Sequence, residues 1–195
     1  MNTFSPQLNM DHIVTAWRGH RTFAQWLVRH LHADVTVDLG VDQGYSTFCF
    51  AEPGQGQVYA VDWFEGDAHT GYRNTQAQVQ DQIIAWDLRN ITLLKTRFDD
   101  LAALWWRPID VLHIDGLHTL EACQHDWDTW SPWVRKSGVV LMHDVVAYPD
   151  VAQVFQGCPG YRLWFDHDCG LGVVTQDPTL ALAIRVYFPE VHVDE

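Results

Sequence analysis

Two short stretches of the sequence combine acids and imidazoles in a pattern that suits polar chemistry. One reads His113-Ile114-Asp115-Gly116-Leu117-His118, the other Met142-His143-Asp144, and each closes a short apolar run. If those runs are neighbouring parallel strands, Asp115, His143 and Asp144 converge on one side of a crevice, with His118 one turn away. Two carboxylates, an imidazole and water make an octahedral donor set for Mg2+ or Mn2+, and the mixture of N and O ligands also suits Zn2+ or Fe2+. Such a cation stabilises an alkoxide, and His118 could remove the hydroxyl proton as a base. An unperturbed imidazole titrates near pH ~6.5, which fits that task. Strand-end acids also cap helices, and for His113 and His125 a structural role of that kind is the expectation.

A second constellation precedes this one. Asp38-Leu39-Gly40-Val41-Asp42-Gln43-Gly44-Tyr45-Ser46 follows a β-rich run, and its glycines allow a tight turn with close backbone approach to a ligand. Asp62 ends the next apolar run, where a carboxylate accepts hydrogen bonds from ribose hydroxyls. Dinucleotide sheets and S-adenosylmethionine sheets share both features. The dinucleotide fingerprint requires G-x-G-x-x-G, and Asp42 stands at its middle glycine, where it would repel a pyrophosphate. It is compatible with a sulfonium. Asp38, directly or through water, Gly40, Gly44, Tyr45, Ser46, Asp62, Trp63 and Asp115 are the cofactor-binding candidates, with Asp38 near the amino-acid end.

These residues need a scaffold, and the apolar pattern supplies one. Strands are expected at Asp34 to Leu39, Val58 to Val61, Ile91 to Lys95, Val111 to Ile114 and Val139 to Met142. Helical patterns lie between them at Ser46 to Glu52, Gln76 to Leu88, Asp99 to Trp106 and Leu120 to Val134. An amphipathic helix over residues 11 to 32 leads the chain. Alternating strands and helices imply an α/β fold, a Rossmann-like, mostly parallel sheet covered by helices on both faces. Tyr161 to Phe165 and Leu171 to Thr175 are close enough in sequence to form an antiparallel hairpin. The expectation is seven strands in a single domain of 1–195: a leading helical segment at 1–32, a cofactor-binding core at 34–175 and a C-terminal segment at 176–195. Crevices in such sheets open at the carboxyl ends of the strands, where the candidates fall.

Composition narrows the partners. With 195 residues the chain suits one domain, and 12 basic against 25 acidic residues give a net charge of −13, unfavourable for nucleic acid. No apolar run approaches the ~20 residues of a membrane span, and the first residues lack the pattern of a secretory signal, so a cytoplasmic location is expected. The 4 cysteines form no CxxC pair and read as free thiols.

The strings Asp62-Trp63-Phe64-Glu65-Gly66-Asp67-Ala68-His69-Thr70-Gly71-Tyr72, Leu112 to Thr119 and Gly138 to Asp144 resemble a bacterial branch of class I S-adenosylmethionine-dependent methyltransferases, methyltransferase domain family 24. Members of that branch often occur beside or fused to glycosyltransferases. The resemblance covers residues 34 to 175. It implies that Asp38, Gly40 and Gly44 line the methionine side of S-adenosylmethionine, that Asp62 holds the ribose, and that Phe98 and Asp99 meet the adenine. By likeness to metal-dependent O-methyltransferases, Asp115 and Asp144 would bind Mg2+ or Mn2+ and His118 would be the base. Val145 departs from that pattern, since those enzymes commonly carry another ligand there; His143 is the residue able to compensate. His69, Thr70 and Tyr72 suit a sugar hydroxyl and ring. Asp166, His167 and Gly170 also match the branch without an assigned role.

The expected function is O-methyl transfer to a sugar or other small hydroxylated acceptor. The alternatives are a non-catalytic cofactor-binding or partner subunit and a metal-dependent hydrolase. A homo-oligomer or a partner subunit is also an expectation, with the Trp-rich leading helix as one contact surface.

Overall fold

The computed structural model describes residues 8–66 and 71–193. The chain runs through α1 (Arg21–His30), β1 (Val35–Leu39), α2 (Tyr45–Ala51), β2 (Gln57–Asp62), α3 (Gln76–Ala85), β3 (Ile91–Lys95), α4 (Phe98–Ala102) and β4 (Ile109–Ile114). It continues through α5 (Leu120–Trp130), β5 (Val134–His143), α6 (Pro149–Gly157), β6 (Tyr161–Phe165), β7 (Leu171–Thr175), α7 (Pro178–Tyr187) and β8 (His192–Val193). One sheet has the order β3-β2-β1-β4-β5-β7-β6-β8. The first five of these pair in parallel, and β7 joins β5 and β6 antiparallel. The expected fold is present with one strand more, because β8 adds a short antiparallel edge against Leu163 and Trp164.

Every residue of β1 and β4 is buried, as a central strand covered on both faces requires. Their side chains divide between two cores. Phe23, Leu27, Phe48, Val79 and Ile184 cover one face from α1, α2, α3 and α7. Cys123, Trp130, Val151, Val154 and Phe155 cover the other from α5 and α6. Strand order switches between β1 and β4, so the connections leave in opposite directions there and open the crevice.

Several boundaries differ from expectation for local reasons. The leading helix starts at Arg21, after a 3-10 turn at Arg18–His20, and Trp17 and Trp26 are 2% and 8% exposed. Those indoles belong to the core, so the Trp-rich contact surface is not there. α5 stops at Trp130 because Pro132 enters a 3-10 turn and Val134 already opens β5. Two helices were not anticipated, α6 and α7, each with a proline in its first turn. At α7 the Asp177 carboxylate also accepts the N–H of Thr179 at 2.8 Å, a cap that the string Asp-Pro-Thr spells out. Among the described residues no helix is long and apolar enough to cross a membrane.

Candidate active site

A cavity of about 1220 Å³ lies over the ends of β1, β2, β4 and β5. It exceeds the usual ~300–1,000 Å³ of a single-ligand pocket, leaving room for two small ligands. Gly40, Tyr45, Ser46, Asp62, Trp63, Phe98, Asp99, Asp115, His118, His143 and Asp144 all line it.

The backbone makes the floor. Gly40 has φ +97°, and a Cβ there would meet the carbonyl oxygen of Asp115 at 1.9 Å, so only glycine lets β1 and β4 approach this closely. Gly44 has φ +87° at the start of α2, lies outside the lining and serves the turn. Asp62 latches two loops: Oδ2 accepts the N–H of Asp42 at 2.9 Å and Oδ1 that of Phe64 at 2.5 Å. Burial raises its pKa, and those backbone donors hold back part of the rise. Trp63 beside it carries the Arg97 guanidinium 4.9 Å from its ring centre.

Asp38 is placed differently from expectation. It has no exposed surface and does not line the cavity; its carboxylate is bonded by Ser46 Oγ at 2.9 Å, by Thr47 Oγ1 and by His113 Nδ1 at 2.6 Å. Asp38 and His113 are register partners on β1 and β4 and face the layer of α1 and α2. His113 therefore has the structural role expected of it. Asp42 also changes meaning. Arg73 pairs with both of its oxygens, at 3.0 and 2.5 Å, which offsets the charge expected to repel a pyrophosphate. His125 is exposed rather than structural, with Nε2 2.7 Å from Asp99 Oδ1 at the cavity wall. Tyr72 is 82% exposed and stands outside the lining; His69 and Thr70 fall outside the described residues.

The acid and imidazole cluster does converge. His118 Nε2 lies 2.7 Å from Asp144 Oδ2 and 3.5 Å from Asp115 Oδ1. His143 Nδ1 lies 3.3 Å from Asp144 Oδ2 and 3.6 Å from Asp115 Oδ2, and its Nε2 donates to the Asp168 carbonyl at 3.1 Å. Burial alone would lower both imidazoles, but their bonds and proximity to the two carboxylates outweigh it. His118 rises to about 9 and His143 to about 11. The same pairing overcomes burial in the opposite sense and holds Asp115 and Asp144 below the usual carboxylate range. His143 thus braces both carboxylates. The donor atoms that gather within 4.8 Å are those of Asp115, His118 and Asp144, so His118 takes the place expected of His143. Val145 is a core residue.

Two lining residues escaped the sequence reading. Trp17 Nε1 donates to His113 Nε2 at 3.1 Å and lines the cavity from the leading segment, 96 residues away in the chain. Asp126 on α5 is 8% exposed, and burial raises its carboxyl to about 7. Its signal was legible: it shares an apolar helical stripe with Cys123 and Trp130, where an acid is out of place.

Residues 37–145, more than half of the chain, match the family model described as a methyltransferase domain. The chain belongs to that family of methyltransferase domains. It is 30% identical over 139 residues to the uncharacterized protein y4gI of Sinorhizobium fredii (strain NBRC 101917 / NGR234), covering 67% of this chain and 15% of that protein. The chain therefore spans a small part of this much longer relative. Among solved structures it is similar to a putative O-methyltransferase from Klebsiella pneumoniae, with TM-score 0.63 and 17% identity over 84% of this chain and 82% of that one. An O-methyltransferase from Bacillus cereus in complex with SAH gives TM-score 0.62 and 17% identity over 84% and 83%. At these identities the likeness is one of fold.

Proposed function

We propose that this protein is an O-methyltransferase that moves the methyl group of S-adenosylmethionine to a hydroxyl of a sugar or other small acceptor. The observation that carries the reading is the convergence of Gly40, Asp62, Asp115, His118 and Asp144 on one cavity large enough for two ligands. Asp62 faces the ribose with its remaining lone pairs, and Phe98 offers a ring to the adenine. The backbone at Gly40 leaves space for the methionine end.

Transfer is an in-line displacement. The acceptor oxygen forms a bond to the methyl carbon as the carbon–sulfur bond breaks, and the bonding pair returns to sulfur to give a neutral thioether. The hydroxyl proton passes to His118 or to water. Holding oxygen, carbon and sulfur in line supplies much of the rate, since effective molarities reach ~10⁵ M or more. His118, pushed up to about 9, carries a proton at neutral pH while both carboxylates face it, so accepting another requires that proton to leave first.

Asp115, Asp144 and the His118 nitrogen fit a divalent cation such as Mg2+ or Mn2+: two carboxylates held ionised and one nitrogen within reach of a common centre. Bound there, the cation would acidify the acceptor hydroxyl. The chain's own residues contribute the ionised carboxylates, with His143 keeping them charged, and Tyr148, stacked 4.3 Å from His118, gives an aromatic face to a sugar ring.

The test is calorimetric titration with S-adenosylmethionine and S-adenosylhomocysteine, followed by radiolabelled methyl transfer to a panel of free and nucleotide-linked sugars. Binding of both with labelling of a hydroxylated acceptor is expected. Failure to bind either would overturn the reading.

A further inference from the structure

A second group of donors stands beside the crevice and takes no part in the proposed transfer. His20 ends the 3-10 turn before α1, while His167 and Asp168 occupy the turn between β6 and β7. His20 is wholly buried, and neither of its ring nitrogens makes a hydrogen bond of good geometry, the Asp168 backbone being the one polar group in weak reach. An imidazole buried with both nitrogens unpaired is costly, on the order of 1–3 kcal/mol for each unmade bond, and calls for an unseen partner. A neutral imidazole there has a lone pair to offer.

The geometry supplies the rest of a site. One donor atom from each of His20, His167 and Asp168 lies within 4.8 Å of the others, and His167 Nδ1 is 3.5 Å from Asp168 Oδ2. Ligands at ~2.1 Å from a cation stand about 3.4 Å apart in a tetrahedron, so the half-exposed His167 closes the set by turning out of its stack on His20. The rings of His20 and His167 are stacked with centres 4.6 Å apart. Asp168 Oδ2 is held by the Gly19 N–H at 2.5 Å, and a Cβ at position 19 would lie 2.2 Å from that oxygen. Glycine at 19 is what lets the turn reach the leading segment.

We propose that His20, His167 and Asp168 bind one first-row divalent transition cation, Zn2+ foremost, which staples the leading segment to the β6–β7 turn. Two imidazoles and a single carboxylate favour such a cation over Mg2+ or Ca2+, which prefer oxygen cages. Three protein ligands leave a position for water, as the exposed side of the cluster allows. The staple is structural, but it borders the crevice on two sides: Trp17 lines the cavity just before it, and the Asp168 carbonyl receives His143. The site is separate from the Asp115 and Asp144 cluster and does not depend on the proposed transferase activity.

The experiment uses the whole chain, stripped with a chelator and titrated with Zn2+ by calorimetry and with Co2+ by visible absorption. Thermal unfolding is followed with and without Zn2+. His167→Gln is the main variant, because its half-exposed side chain can change without disturbing the core; His20→Ala is the second. Asp144→Asn disables the other cluster. With Asp144→Asn as the common background, expected are a Zn2+ affinity at least tenfold weaker and loss of the Zn2+-dependent rise in Tm when His167→Gln is added. Equal affinity and equal Tm response with and without His167→Gln in that background would overturn the proposal, whether the cation then sits elsewhere or nowhere.

Discussion

His113 Nδ1 donates to Asp38 Oδ1 across 2.6 Å, between register partners on β4 and β1 that are both shut off from solvent. Trp17 fixes the tautomer: its indole N–H can only donate, so His113 Nε2 must accept and the proton sits on Nδ1. The three side chains join the two central strands to the leading segment directly behind the crevice.

Replacing His113 with Phe keeps the volume roughly constant but strands the Trp17 N–H and one oxygen of Asp38. Each buried group left unpaired costs about 1–3 kcal/mol, so His113→Phe should lower the unfolding free energy by roughly 2–4 kcal/mol. Urea denaturation measures it. A loss below about 1 kcal/mol would mean that the link is not stabilising.

Asp62 both latches the Asp42 and Phe64 backbones and faces the proposed ribose. Asp62→Ala should weaken S-adenosylhomocysteine binding at least tenfold, or ~1.4 kcal/mol, by calorimetry. Asp62→Asn, which keeps one acceptor oxygen, should lose less. Unchanged affinity in the alanine variant would move the ribose elsewhere.

For His118 the expected signature is a split between steps. His118→Ala should cut methyl transfer by about 10²-fold or more while the affinity for S-adenosylhomocysteine stays within roughly twofold. Near-normal turnover would remove His118 as the proton acceptor.

Asp126 gives a pH dependence whose sign follows from its burial. Its folded carboxyl titrates near 7 against 3.8 when solvated, so the folded state binds the proton more tightly. Stability therefore declines as pH rises from about 4 to about 7 and levels off above that. Asp126→Asn removes this contribution and should gain on the wild type across that window, by up to about 4 kcal/mol at pH 8. Unfolding curves at pH 5 and pH 8 decide it: an equal difference at both values would assign the burial no electrostatic cost.

Much of the scaffold was legible because central strands declare themselves as β-branched runs ending in Gly or Asp, and β3 was located to the residue. α6 and α7 have a helical period as clear as that of α5, and the start signal passed over was the proline in the first turn of each. At the site, strand alternation decides what local pattern leaves open. Asp38 resembles a crevice acid, yet it lies two residues before Gly40 and points into the α1 and α2 layer beside His113. The cluster of Asp115, His118 and Asp144 was readable, since each residue sits at or just beyond a strand end. Contacts between distant segments were not: Arg73 neutralising Asp42, Trp17 reaching His113, and His20 meeting His167 all depend on the completed sheet.

Trp63 stands at the mouth of the cavity, 40% exposed, with Arg97 over its face and Lys95 5.9 Å from its ring centre. Among the other indoles Trp17 also lines the cavity but is buried, whereas the rest stand outside the lining, so their emission should stay constant when the crevice fills. Trp63 is polarised by two cations that an arriving nucleoside would shift or screen. The protein thus carries its own fluorophore at the point of ligand arrival, and the intensity and colour of its emission would report occupancy in real time without any label.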